Sequence, residues 1–187
     1  ERIRVLCQPG GGLEDSSCFS GVVLHKEFML PAMPLVPNGK VLLINTGLSN
    51  KKNEDNVQVS LGSAAEYQQY QQTTTRDIWV KKAETIIERL PEGGAVFVRD
   101  HVNEVVAATL TKANISVVQR LPESDISALG QLLNTSAAHT TEDLGDAVDA
   151  DIECTTIGDM KYVVVRGTGE VTTLILRGAT KQTLDET

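Results

Sequence analysis

A chain of 187 residues has room for one domain with a sizeable core, or for one domain with an appendage. Hydrophobic residues make up 41% and charged residues 22%, as in ordinary globular proteins, but aromatics only 4%, so the core must rest on Val, Ile, Leu and Ala. The net charge of -8 would repel a phosphate backbone, and no Lys/Arg cluster offsets it, which sets nucleic-acid binding aside. No apolar run reaches the roughly 18–20 residues of a membrane span, and no signal peptide is visible. Glu1 opens directly into a strand-like pattern and Thr187 follows what reads as the start of a helix, so both ends are expected to be cuts in a longer polypeptide. Cys7, Cys18 and Cys154 match no metal or redox spacing and read as reduced thiols of a cytoplasmic protein.

In chain order, Arg2 to Leu6 alternates like a strand and Pro9-Gly10-Gly11-Gly12 breaks it. Gly21 to Leu24 is a short apolar run. The stretch from Phe28 to Leu35 combines large apolar groups with Pro31 and Pro34, which cannot donate to a ladder, so it is predicted as loop or edge. Lys40 to Asn45 is continuously apolar and predicts a fully buried strand.

From Ser49 to about Asp77 the composition turns polar. Val57, Val59 and Leu61 suggest a short strand, and Ser63-Ala64-Ala65-Glu66 has the form of a capping box opening a short helix through Gln72. The segment has little to bury and reads as a projecting insertion. Trp79, Ala83, Ile86, Ile87 and Leu90 fall at helical spacing, with Pro91 and Gly93-Gly94 to stop the helix. A strand at Ala95 to Val98, a helix with Val102, Val106, Leu110 and Ala113 on one face, a strand at Ile115 to Val118 and a helix at Glu123 to Leu133 follow. That order implies a parallel or mixed α/β core. Ala150 to Thr156 and Lys161 to Arg166 read as a hairpin turning at Ile157-Gly158-Asp159, and Val171 to Leu176 as a further strand.

No catalytic constellation emerges. Gly10-Gly11-Gly12 is not a P-loop, since no Lys-Ser or Lys-Thr follows to reach phosphate and magnesium. His25, His101 and His139 lie at no metal-ligand spacing, and there is no nucleophile elbow. Asp100 and Glu104 read as a solvated helix face rather than a carboxylate pair. Two features point to binding instead. One is the apolar loop with Phe28, Met29, Leu30 and Met33, part of which is expected to stay exposed. The other is a helix from Asp100 to Asn114 whose outer face carries His101, Glu104, Ala108 and Lys112, with Val105 at its boundary. Small, mixed groups of this kind suit weak contact with many chains.

Gly11-Gly12-Leu13-Glu14-Asp15-Ser16, Gly21-Val22-Val23-Leu24, Met33-Pro34, Lys40-Val41-Leu42-Leu43-Ile44, Gly94-Ala95-Val96-Phe97-Val98, Leu144-Gly145, Ile157-Gly158-Asp159 and Leu174-Ile175-Leu176-Arg177-Gly178-Ala179-Thr180 occur in that order. Together they resemble the apical domain of group II chaperonins, specifically of the eukaryotic cytosolic ring complex TRiC. Asn45-Thr46-Gly47, Arg177 to Gln182 and Leu184-Asp185-Glu186 look most like its beta subunit. The Gln- and Thr-rich insertion departs from the family, and Asn114 stands where the family commonly has Gly.

The resemblance implies an α/β fold, the swivelling β/β/α sandwich of the apical domain with a helical protrusion at about 49–79 that forms a built-in lid. It implies a hinge stub of an intermediate domain at 1–20, the apical domain at 21–176 and a return hinge at 177–187, with Gly11, Gly12 and Gly178 as hinge residues. It implies that the loop with Phe28, Met29, Leu30 and Met33 and the helix with His101, Glu104, Val105, Ala108 and Lys112 flank a groove for unfolded client proteins. Other partners would be chaperonin subunits in a double hetero-oligomeric ring, with no membrane contact. ATP and magnesium belong to an equatorial domain whose phosphate loop and catalytic aspartate are absent from this sequence, so the chain is expected to bind no cofactor or metal and to be no enzyme by itself. Two alternatives stay open: a chaperonin-like regulatory domain of a lipid kinase, and a swivelling phosphotransfer domain with His139 beside Thr140 and Thr141 as acceptor.

Overall fold

The alternation of Ile3, Val5 and Cys7 with Arg4, Leu6 and Gln8 does make a strand, and its partner comes from the far end of the chain. A computed structural model describes residues 3–30, 38–48 and 64–178, the side chains of 64–75 excepted. In it β1 (Ile3–Pro9) runs parallel to β9 (Thr172–Gly178), from Ile3 opposite Thr172 to Pro9 opposite Gly178. On the other side of β9 lies β2 (Ser17–Ser20), antiparallel. These three strands form a small sheet of order β1-β9-β2.

The second sheet has the order β3-β8-β7-β4-β5-β6, built from β3 (Val22–Leu24), β4 (Gly39–Ile44), β5 (Gly94–Val98), β6 (Ile115–Val118), β7 (Val148–Ile157) and β8 (Met160–Arg166). The β4, β5 and β6 strands are mutually parallel, and β7 joins β4 antiparallel, so the core is mixed. The continuous apolar runs of β4, β5 and β6 follow from layers on both faces. On one face, α3 (Glu123–Leu133) sets Ile126, Leu129, Leu132 and Leu133 against Val41, Leu43, Ala95 and Phe97 and on to Val163 and Val165. On the other face, α1 (Ala64–Arg89) and α2 (Glu104–Lys112) cover Leu42, Ile44, Val96 and Val98. Past the helices, Val23, Tyr162 and Val164 on that face meet Ile175, Leu6 and Phe19 of the small sheet. The expected β/β/α sandwich is therefore present, with two further helices where the small sheet does not reach.

One expectation is corrected. Instead of a short helix ending near Gln72 and a second one from Trp79, α1 is a single helix of 26 residues. Between Ala64 and Arg89 there is neither Gly nor Pro, and the polar residues between the two apolar patterns do not break a helix. Among the side chains described, from Arg76 onward, the buried stripe runs through Trp79, Ala83, Ile86 and Leu90. The strand suggested at Val57 to Leu61, the cap at Ser63 and residues 49–63 of the proposed insertion lie outside the described residues.

Two devices tie the sheets together. Gly21 carries the chain from one to the other with φ +116°. Its N–H donates to the Val171 carbonyl (2.7 Å), and its carbonyl accepts from the buried Thr173 hydroxyl (2.8 Å), which also accepts from the Val23 N–H (3.3 Å). Across the other face, Arg4 on β1 pairs with Asp125 in the first turn of α3, and each side chain is only 13% exposed. An acidic group there also suits the positive end of the helix dipole.

Candidate functional site

The helix expected over Asp100 to Asn114 begins later, at Glu104, because its approach is committed elsewhere. Leu48 and Val102 form a β-bridge, with Asn103 N–H donating to Leu48 O (2.7 Å) and Leu48 N–H to His101 O (3.0 Å). The Asn103 side chain then accepts from the Val105 N–H (2.8 Å), an N-cap that starts α2. His101 thus precedes the helix rather than riding on it. At the other end Asn114 takes φ +58°, the left-handed conformation that Asn tolerates better than other residues with a side chain. The position where the family that the sequence resembles commonly has Gly still makes the turn with Asn.

Val106, Ala107 and Leu110 of α2 are buried. His101, Glu104, Ala108 and Lys112 are exposed, and Val105 is half-buried at the margin. The hydroxyls of Thr109 and Thr111 donate to the carbonyls of Val105 (2.7 Å) and Ala107 (2.8 Å), so they are engaged with the helix itself. What remains outward is a carboxylate, a methyl group and an ammonium, the charges about 12 Å apart along the axis at the helical rise. His101 closes the row. Its Nδ1 lies 2.9 Å from Gln119 Oε1, which also accepts the Val102 N–H at 2.9 Å. An oxygen that accepts one N–H offers no proton to the ring, so Nδ1 donates and Nε2 is left for an outside partner. Gln119, 18 residues from His101 at the end of β6, carries no sequence signal for this role.

Phe28, Met29 and Leu30 are half-buried and pack on the cluster beneath α1 and α2, which Val105 and Ala113 also touch. Phe28 reaches the opposite cluster as well. The Met29 N–H donates to Val117 O on β6 (2.8 Å), which anchors the loop at the sheet edge. The structure thus brings the loop and the α2 face onto one apolar base, with the loop residues seated rather than free. Met33 lies outside the described residues.

Of the proposed hinge glycines, Gly10's neighbour Gly11 has φ +89°, while Gly12 has an ordinary φ of -100° and a backbone N–H that donates to Asp15 Oδ2 (2.9 Å). Gly178 closes β9, its carbonyl accepting from the Gly10 N–H (2.8 Å). The rest of the return hinge lies outside the described residues. Desolvation pushes the Cys154 thiol above its usual range, with the Glu27 carboxylate adding to it, which makes a poor nucleophile at neutral pH. Among the described residues no three His, Cys, Asp or Glu side chains gather as metal ligands, and no helix is long and apolar enough to cross a membrane.

The family model described as the TCP-1/cpn60 chaperonin family matches residues 1–187. Thermosome subunit beta of Archaeoglobus fulgidus is 27% identical over 194 residues, which take in 98% of this chain and 34% of that protein. A thermosome subunit of Pyrococcus horikoshii is 26% identical, with 100% and 34% covered. Thermosome subunit beta of Desulfurococcus mucosus is 28% identical, with 100% and 38% covered. The chain spans about a third of the length of these curated relatives. The open-state monomer of a group II chaperonin from Methanococcoides burtonii superposes with a TM-score of 0.79 at 22% identity, over 99% of this chain and 40% of that one, a likeness of fold.

Proposed function

Since the chain belongs to the TCP-1/cpn60 chaperonin family, we propose that it is the apical, client-holding part of a molecular chaperone subunit. The observation that carries this reading is the shared base: the half-buried loop Phe28–Leu30 and the inner face of α2, through Val105, Val106, Ala107 and Leu110, belong to one apolar cluster, while His101, Glu104, Ala108 and Lys112 stay exposed. A surface of that kind offers weak apolar contact on one side and charge selection on the other, which suits clients that must be released. In the longer subunit, ATP hydrolysis in another domain would swing this one about the turn near Gly10–Gly12 and Gly178, and the insertion at about 49–79 would help close a chamber in a double ring of subunits. Placement in the eukaryotic cytosolic ring TRiC, at its beta position, is the narrower proposal. It is supported by Asn45-Thr46-Gly47, Arg177 to Gln182 and Leu184-Asp185-Glu186 alone, the relatives described above being archaeal. No observation favours a lipid-kinase context.

Two experiments test the reading. A photoreactive residue in place of Ala108 should crosslink to a denatured client. Exchanging Glu104 and Lys112 for opposite charges should change which clients bind more than how tightly, each single change costing about 1 kcal/mol of binding. Crosslinks confined to residues far from α2 and the loop would place the client surface elsewhere. Calorimetric titration with ATP and magnesium should give no saturable heat. The glycine turn has no Lys-Ser or Lys-Thr after it, and the N–H of Gly12 already holds the Asp15 carboxylate, which would repel a phosphate. A micromolar nucleotide site in this chain would overturn the domain assignment.

A further inference from the structure

We infer that Arg177 is a latch that locks the glycine turn at Gly10–Gly12 and is itself held shut by the tip of the β7–β8 hairpin. The guanidinium sits where three glycines from distant parts of the chain converge. A methyl group on Gly158 would lie 2.7 Å from Arg177 Nη2, one on Gly11 2.6 Å from Asp15 Oδ2 and 3.0 Å from Arg177 Cζ, and one on Gly10 3.9 Å from Nη2. The Arg177 N–H meanwhile donates to Ser16 Oγ at 3.1 Å, so main chain and side chain of one residue together hold both sides of the turn.

No carboxylate in the described residues forms an ion pair with Arg177, and its buried Nε has no hydrogen-bond partner there. The head group is therefore packed against glycine backbone, and a side chain at Gly158 would displace it, one at Gly11 would press on it and on Asp15, and one at Gly10 would only touch it. That is why Gly158 matters beyond its hairpin. Its φ of +63° is available to Asn or Asp at modest cost, but only a residue without Cβ leaves room for the guanidinium. Gln8 adds a second tie between the same elements. Its Nε2 donates to Ile157 O at 3.1 Å, and its Oε1 accepts from the Tyr162 hydroxyl.

The turn is thus not a loose joint. It opens only when Arg177 withdraws, and the hairpin tip, 147 residues away in sequence from Gly11 (158 − 11), decides whether it can. The use of such a latch in a swivel rests on the hinge reading above. The latch itself does not, and amide hydrogen exchange on this chain tests it alone.

Arg177→Ala and Gly158→Ala should each speed exchange at Gly11 to Asp15 about tenfold, as local opening does, while Phe97 and Val164 in the core stay unchanged. In the Arg177→Ala background, Gly158→Ala should add nothing at the turn, since the latch is already gone. Gly145→Ala, where an added methyl meets no atom within 4 Å, should leave the turn as it was. A Gly158→Ala variant with wild-type exchange at the turn, or effects of the two changes that multiply, would overturn the latch. If Arg177→Ala does not fold, the contrast between Gly158→Ala and Gly145→Ala decides alone.

Discussion

Replacing Asp125 with Ala should lower the stability of the domain by about 2–3 kcal/mol, the cost of removing the charged acceptor of a part-buried hydrogen bond. Arg4 and Asp125 are 121 residues apart and join the small sheet to the first turn of α3. With each side chain only 13% exposed, water can replace the lost carboxylate only in part. The Arg4 guanidinium would be stranded, and its Nη1 already has no partner among the described residues. The variant also takes a negative charge from the positive end of a helix, worth up to about 1 kcal/mol more. Urea unfolding of both proteins reads the difference as a shift in midpoint at unchanged slope. Raising the salt concentration should alter it little, since a part-buried pair is screened much less than an exposed one. A loss below about 1 kcal/mol would mean that the pair behaves as a solvated surface contact and does not hold the layers together.

Gly21→Ala should cost about 3 kcal/mol or more. Holding a side-chain-bearing residue in an unfavourable backbone region costs about 1–3 kcal/mol by itself. Here φ is +116°, and the new methyl would lie 2.2 Å from the carbonyl oxygen of Val165. That atom belongs to the main chain of β8 and cannot swing away. Relief requires β3 to shift against β8, which breaks the pairing of Val22 with Val165 and Val23 with Val164. It also pulls on the Thr173 hydroxyl that bridges the two sheets. Thermal unfolding should show the loss directly. A variant within about 1 kcal/mol of the parent would show that the crossing between the sheets can relax.

The strands that are buried on both faces were the most legible elements, because Lys40 to Ile44 and Gly94 to Val98 need no partner to announce themselves. The hairpin at Ile157-Gly158-Asp159 was legible for the same local reason. The partner of β1 was not, since parallel pairing with a strand at the other end of the chain leaves no nearby signal. β2, four residues long with Cys18 and Ser20 exposed, is too short to show a period. The division of α1 failed because apolar spacing reports which part of a helix is covered, not how far the helix extends. In the candidate site, spacing alone identified the exposed row on α2. It could not show that Gln119 orients His101 or that Asn103 starts the helix, since both depend on side-chain hydrogen bonds with no pattern of their own.

The pairing of β1 with β9 also bears on how the domain comes to be made. Ile3 and Thr172 are neighbours across 169 residues (172 − 3), so their pairing closes a long loop. Such closure is entropically costly and slows folding. During synthesis, β5 has both its strand partners, β4 and β6, to hand once Val118 has emerged, whereas β1 has to wait for β9, which follows every other strand of the two sheets. In that interval Ile3 and Val5, which remain 66% and 54% exposed even in the finished structure, stand on an open strand edge. Until β9 arrives, the apolar side chains of β1 have no strand to pair beside them, so this edge is the part of the domain that is completed last.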